Sequence, residues 1–148
     1  MYKLNLPECK LTLRKEGGKV LIFDVIRKKY IVLTPEEWVR QHFVHYLIDQ
    51  YKYPKSLFRV ETSLTYNTLQ KRSDIVIYNR FGKPWMLIEC KAPGIKLTQK
   101  AFNQVAVYNM TIGAQYVAVT NGMVQYCFEA GKENGSEVKF LESFPDFA

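Results

Sequence analysis

The chain has 148 residues, 47% of them hydrophobic and 14% aromatic. Such a composition excludes a disordered polyelectrolyte, and the length points to one domain, 1–148, large enough to bury a core. A net charge of +7 and an isoelectric point near 9.3 favour a polyanionic partner, although a basic surface also serves solubility.

Taken in chain order, residues 1–18 read as an N-terminal extension with a strand at 10–14, ended by Gly17-Gly18. Residues 20–26 read as a strand and 30–33 as a short extended segment. Thr34-Pro35-Glu36-Glu37 is a helix start, with Thr as N-cap and Pro at the first helical position. This helix is expected to reach Gln50, with Val39, Phe43, Tyr46 and Leu47 facing the core. Tyr51, Tyr53 and Phe58 around Pro54 suggest a packed corner leading into a strand at 56–65.

Two further strands follow, 72–78 and 85–90, by their β-branched and aromatic content. Asn79 to Pro84 supplies the turn. Thr98 caps a second helix to about Thr111, packed through Ala101, Phe102, Val105 and Ile112. Residues 116–120 and 124–128 form a last hairpin across Asn121-Gly122. The order is strand, helix, three strands, helix, two strands. Both faces of the central hairpin are apolar, Val76 and Leu87 on one, Ile75, Ile77, Met86 and Ile88 on the other. The expected fold class is therefore α/β, a mixed central sheet flanked by helices. Residues 140–148 form an aromatic, acidic tail, which either folds back or meets a partner.

The chemistry concentrates in that hairpin. If it folds symmetrically about Phe81 and Gly82, paired positions sum to 163 and Asp74 faces Glu89. Alternation sets Lys91 on the Glu89 face and points Cys90 the other way. Two carboxylates and an ammonium thus converge at the end of an apolar run. Opposed carboxylates suit a hard divalent cation, and a nearby Lys can orient a water. An ordinary ion-pair cluster is the bland alternative, but charge at a buried strand end is expensive unless used.

These residues resemble the PD-(D/E)xK nuclease signature: Asp74, then Glu89-Cys90-Lys91, with Ser73 where that pattern has Pro. The surrounding segments 33–41, 71–78, 88–93 and 104–108 are similar to the N-terminal nuclease domain of type I restriction enzyme R subunits and its small stand-alone relatives. The resemblance implies a restriction-endonuclease-like α/β/α core and metal-dependent hydrolysis of DNA by an endonucleolytic cut, in restriction or repair. Its catalytic residues would be Asp74, Glu89, Lys91 and Glu37, with Glu36 as the alternative helix carboxylate. Mg²⁺ (or Mn²⁺) would be held by Asp74, Glu89 and the Cys90 backbone carbonyl. Gln104 and Tyr108, four apart on one helix face, would contact the nucleic acid together with Arg40, Arg72, Lys96 and Lys100. Glu37 also fits a capping box, and Arg40 a helix ion pair. DNA is the expected partner, with RNA, a separate motor or specificity subunit, and a homodimer left open. The alternative functions are a non-catalytic nucleic-acid-binding module that keeps the fold, and a protein-interaction subunit docking through the tail.

Other chemistries find little support. His42 and His45 have no Cys or third His at zinc spacing, and Glu61 reads as solvent-facing. No phosphate-loop motif occurs, Gly17-Gly18-Lys19 being too short a match, so no ATP-driven motor is expected in these residues. Cys9, Cys90 and Cys127 lack CxxC spacing, no signal peptide follows Met1, and no apolar run suits a bilayer. The expected compartment is the cytoplasm.

Overall fold

The computed structural model describes residues 2–64, 71–131 and 139–147, and at positions 61–64 and 71–74 the backbone alone. Two sheets form. Strands β1 (Leu13–Glu16), β2 (Lys19–Asp24) and β3 (Lys29–Val32) make a small antiparallel sheet in the order 1-2-3. The main sheet contains β4 (Phe58–Leu64), β5 (Lys71–Tyr78), β6 (Pro84–Cys90), β7 (Tyr116–Thr120), β8 (Gln125–Glu129) and β9 (Lys139–Leu141), side by side in chain order. Its neighbours pair antiparallel except β6 and β7, which are parallel and joined by helix α2 (Gln99–Ile112). Helix α1 (Pro35–Tyr51) precedes the sheet. The mixed sheet with two helices is the fold class that the sequence implied.

Alternation along the strands splits the core in two. Ile75, Ile77, Met86 and Ile88 join Val39, Phe43, Val44 and Leu47 of α1. Val76, Leu87, Val117, Val119 and Phe128 join Val105 of α2. Each fully buried aliphatic chain contributes about 1.5–3 kcal/mol, which fixes the register because a one-residue slip would exchange the faces.

Both helices begin as expected. Thr34 Oγ1 accepts from the Glu37 amide at 3.1 Å, and Thr98 Oγ1 from the Ala101 amide at 3.2 Å. Along α1 the buried face also includes Arg40 and Gln41, while Tyr46 is half-buried. The helix buries two polar residues that hydrophobic periodicity does not find. Helix α2 ends at Gly113 in the left-handed region, φ 79°. There the buried Asn109 amide donates to the Ala114 carbonyl (2.9 Å) and accepts from its amide (3.0 Å).

Several boundaries differ from the sequence expectation for local reasons. The first strand lies at 13–16 rather than 10–14, because Gly17 and Gly18, both at positive φ, make a two-residue hairpin turn into β2. Strand β2 stops at Asp24, whose Oδ1 accepts from the Ile26 and Arg27 amides and starts a turn. The loop across Asn121-Gly122 spans four residues, since Thr120 pairs with Gln125, which shifts β8 one residue along. Its corner is held by Asn121 Oδ1, accepting from the Met123 and Val124 amides at 2.9 Å.

The aromatic tail folds back. After β9, a strand absent from the sequence reading, Phe144 packs against Phe43 and Tyr51, and Phe147 against Trp85 with ring centroids 4.9 Å apart. Tyr53, fully buried in the expected corner, donates to the Pro145 carbonyl at 2.5 Å.

Gly122 is the glycine with least freedom. Its φ is +83°, and a Cβ there would lie 2.8 Å from Leu4 Cδ2 and 3.1 Å from Val39 Cγ2. Gly122→Ala should therefore destabilise the fold by about 1–3 kcal/mol in denaturant titration. Gly94→Ala, with nothing within 4 Å, should unfold at nearly the wild-type midpoint.

Candidate active site at the end of β6

The central hairpin holds the register expected for it. Ile75 pairs with Ile88, Val76 with Leu87 and Ile77 with Met86, each summing to 163. The expected opposition of Asp74 and Glu89 lies one step beyond that pairing, which ends at Ile75 and Ile88. At the turn end the register slips, Tyr78 pairing with Pro84 across a bulge. The cause is the turn: Asn79 Oδ1 accepts from the Phe81 and Lys83 amides, and Gly82 adopts φ 77°.

Glu89 is the charged residue that this apolar strand buries. It pairs with Val119, so it lies on the α2 side of the sheet, and its side chain is only 9% exposed. Lys91 reaches the same carboxylate, with Nζ 3.2 Å from Glu89 Oε1. A carboxylate this buried requires ionic or hydrogen-bonding partners. The backbone places Lys91 firmly, its amide donating to the Thr120 carbonyl at 2.8 Å. The loop beyond is tied down as well, because Asn121 Nδ2 donates to the Ile95 carbonyl at 2.9 Å. Asn121 thus braces both its own turn and the segment following Lys91, a role the sequence reading did not find. Its position beside Gly122 in a turn was the available signal.

Behind the strand, Cys90 faces α1. Its thiol is pushed up to about 12, chiefly by burial; Arg40 pulls it down, whereas Glu89, Glu36 and Glu37 push it up. Arg40, Glu36 and Glu37 of α1 and Glu89 of β6 thus all bear electrostatically on that thiol. Arg40 is a buried cation, 4% exposed, that donates to Glu37 and, at 2.8 Å, to Glu36. Burial opposes its charge, but Cys90, Glu37 and Glu36 together hold its pKa above the usual arginine range. Glu37 also lies 3.8 Å from Arg27, which Asp24 holds at 2.7 Å. So the Glu37 carboxylate is engaged by Arg40, and Arg40 makes the helix ion pairs that were one of its two expected roles.

The remaining candidates are distributed as follows. Gln104, Lys96 and Lys100 are exposed on or just before α2, and Tyr108 is half-buried against the α2-side core. The side chains of Asp74, Arg72 and Glu61 lie outside the described residues. His42 shares its Nδ1 with the Trp38 carbonyl at 2.7 Å, and burial pushes His45 down. Both act as ordinary helix residues. Among the described residues no three His, Cys, Asp or Glu side chains gather closely enough to hold a metal ion. The donors present at the strand end do fit one kind of ion: Glu89 offers hard carboxylate oxygens, while Cys90 stays a neutral thiol behind the sheet. That chemistry suits Mg²⁺ or Mn²⁺ rather than zinc.

Residues 35–145 match the family model described as the type I restriction enzyme R protein N terminus. The match begins at the first residue of α1 and spans Glu37, Asp74, Glu89, Lys91, Gln104 and Tyr108. Comparisons with curated proteins and with solved structures gave no match. No helix among the described residues is long and apolar enough to cross a membrane.

Two outcomes follow from the buried groups. In the native protein near pH 8 a thiol reagent should label Cys9, which is half-buried, whereas Cys90 and Cys127 should react only after unfolding. The two buried thiols, each pushed up to about 12 from 9.0, remain protonated in the folded state while the unfolded chain ionises. Stability should then be intact below pH 9 and fall as pH rises toward 12, as read from melting temperatures. Separately, Arg40→Met leaves Glu37 without its main counterion and should destabilise the fold by roughly 3 kcal/mol.

Proposed function

Because the chain belongs to the type I restriction enzyme R protein N-terminal family, we propose that it is a metal-dependent nuclease. It would hydrolyse the phosphodiester bonds of DNA at Asp74, Glu89 and Lys91. One observation carries the reading: a nearly buried Glu89 carboxylate, 3.2 Å from the Lys91 ammonium, at the end of a strand that pairs with the one carrying Asp74. A family assignment alone does not give an activity, but this set would supply the donors that phosphoryl transfer needs.

Asp74, Glu89 and the Cys90 carbonyl would hold Mg²⁺ or Mn²⁺. The chemistry a divalent ion supplies at such a set is Lewis acidity toward a phosphoryl oxygen and toward water. Glu89 would be the buried ligand of that set, its side chain 9% exposed beside Lys91. Lys91, braced by the Thr120 carbonyl and by Asn121 beyond it, orients the attacking water and meets negative charge developing on the phosphate. Glu37 (or Glu36), engaged by Arg40 on the α1 side, would reach the site only through water. Lys96, Lys100, Arg72 and the Gln104–Tyr108 face hold the strand backbone, contacts that carry no base information. Sequence preference should accordingly be weak.

The reading is tested with supercoiled plasmid and circular single-stranded DNA in Mg²⁺ or Mn²⁺. Cutting should require the metal, stop with a chelator, and fall at least about 100-fold in Glu89→Gln and in Lys91→Met. Cutting of circles makes the enzyme an endonuclease. DNA binding without cutting, equal in wild type and Glu89→Gln, would instead mark a non-catalytic binding module.

A further inference from the structure

The α2 side of the sheet carries a second feature that the cleavage chemistry does not use. Glu89 pairs with Val119 and Val119 with Tyr126, so one row crosses the sheet from the carboxylate to an aromatic ring. Paired residues share a face and strands are spaced by about 4.8 Å, which sets Tyr126 roughly 10 Å from Glu89. Beside it Phe140 of β9 pairs with Phe128 on the same face. Phe102, from the first turn of α2, meets both rings edge-on, at 5.3 Å and 5.6 Å. These rings are not spent on the core: Tyr126 is 41% and Phe140 50% exposed.

We propose that Tyr126 and Phe140, propped by Phe102, form a platform on which unpaired bases of a single strand stack while its backbone passes Glu89 and Lys91. The inference rests on the nuclease reading and narrows its substrate to DNA that is single-stranded beside the cut. The charge around the rings complements that occupant. Lys100 is exposed two residues before Phe102, Lys139 is exposed beside Phe140, and the chain carries a net +7. Stacking uses the flat faces of rings and tolerates any base, so it adds affinity without sequence reading. A duplex keeps its bases inside the helix and offers the platform nothing.

Binding is measured by fluorescence anisotropy in chelator, so that nothing is cut. The probes are a labelled oligothymidylate, the same strand with its bases replaced by abasic sites, and a blunt duplex. Wild type should prefer the oligothymidylate to the abasic strand. Phe140→Ala and Tyr126→Ser should each weaken oligothymidylate binding by roughly 5- to 150-fold, leave abasic and duplex binding unchanged, and be rescued by Phe140→Trp. Phe81→Ala, removing a ring 89% exposed at the far turn, should change none of these. Equal wild-type affinity for the ordinary and abasic strands overturns the proposal without any variant. So does a wild-type dimer in sedimentation that Phe140→Ala converts to monomer, since the platform would then face a second copy. Base-dependent binding without cleavage in metal would contradict the nuclease reading alone, and cleavage without base dependence would contradict the platform alone.

Discussion

Everything at the candidate site follows from placing one carboxylate at the end of an apolar strand. Strand β6 lies inside the sheet, between β5 and β7, with an apolar core on either face. An ionised carboxylate there loses several kcal/mol of hydration unless compensating groups are built around it. Lys91 supplies one, 3.2 Å away. A pair so placed is poor material for stability, because a hydrophobic pair of similar volume would serve as well or better. The metal site proposed above would account for charge at such a position.

The rest of the fold presents that strand end. The parallel β6–β7 pair requires a crossover, and α2 provides it, covering the face on which Glu89 lies. The loop that leaves β6 must hold Lys91 in place before the helix begins, and Asn121 reaches across from the next hairpin to fix it. Gly122 makes that turn affordable by accepting a left-handed backbone against Leu4 and Val39. On the opposite face α1 brings Glu36, Glu37 and Arg40 under Cys90, so the helix contributes fixed charge as well as apolar packing.

Much of this arrangement could be read from the chain. The central hairpin register was legible because both strands are apolar on alternate faces and a Gly/Pro turn lies midway between them. The two N-caps were legible because Thr34 and Thr98 stand just before periodic segments. Burial of Arg40 and Gln41 was not, since hydrophobic periodicity cannot reveal a polar residue buried by its partners. The small sheet of β1–β3 was hidden because Gly17-Gly18 ends a strand and turns a hairpin equally well. Strand β9 escaped notice because three residues carry too little alternation to stand out, and its pairing with β8 is a long-range fact. The stacking platform was invisible for the same reason: Phe102, Tyr126 and Phe140 meet only once α2, β8 and β9 are assembled.

Under the proposed function, Glu89 is a metal ligand and not merely the ion-pair partner of Lys91. Calorimetric titration of the chain with Mn²⁺, wild type beside Glu89→Gln, tests this most directly. Saturable binding to the wild type is expected, lost in Glu89→Gln while the thermal unfolding of the two proteins stays similar. Equal binding in both, or none in the wild type, would contradict that role and leave the pair as a structural element of a protein that binds nucleic acid without cutting it.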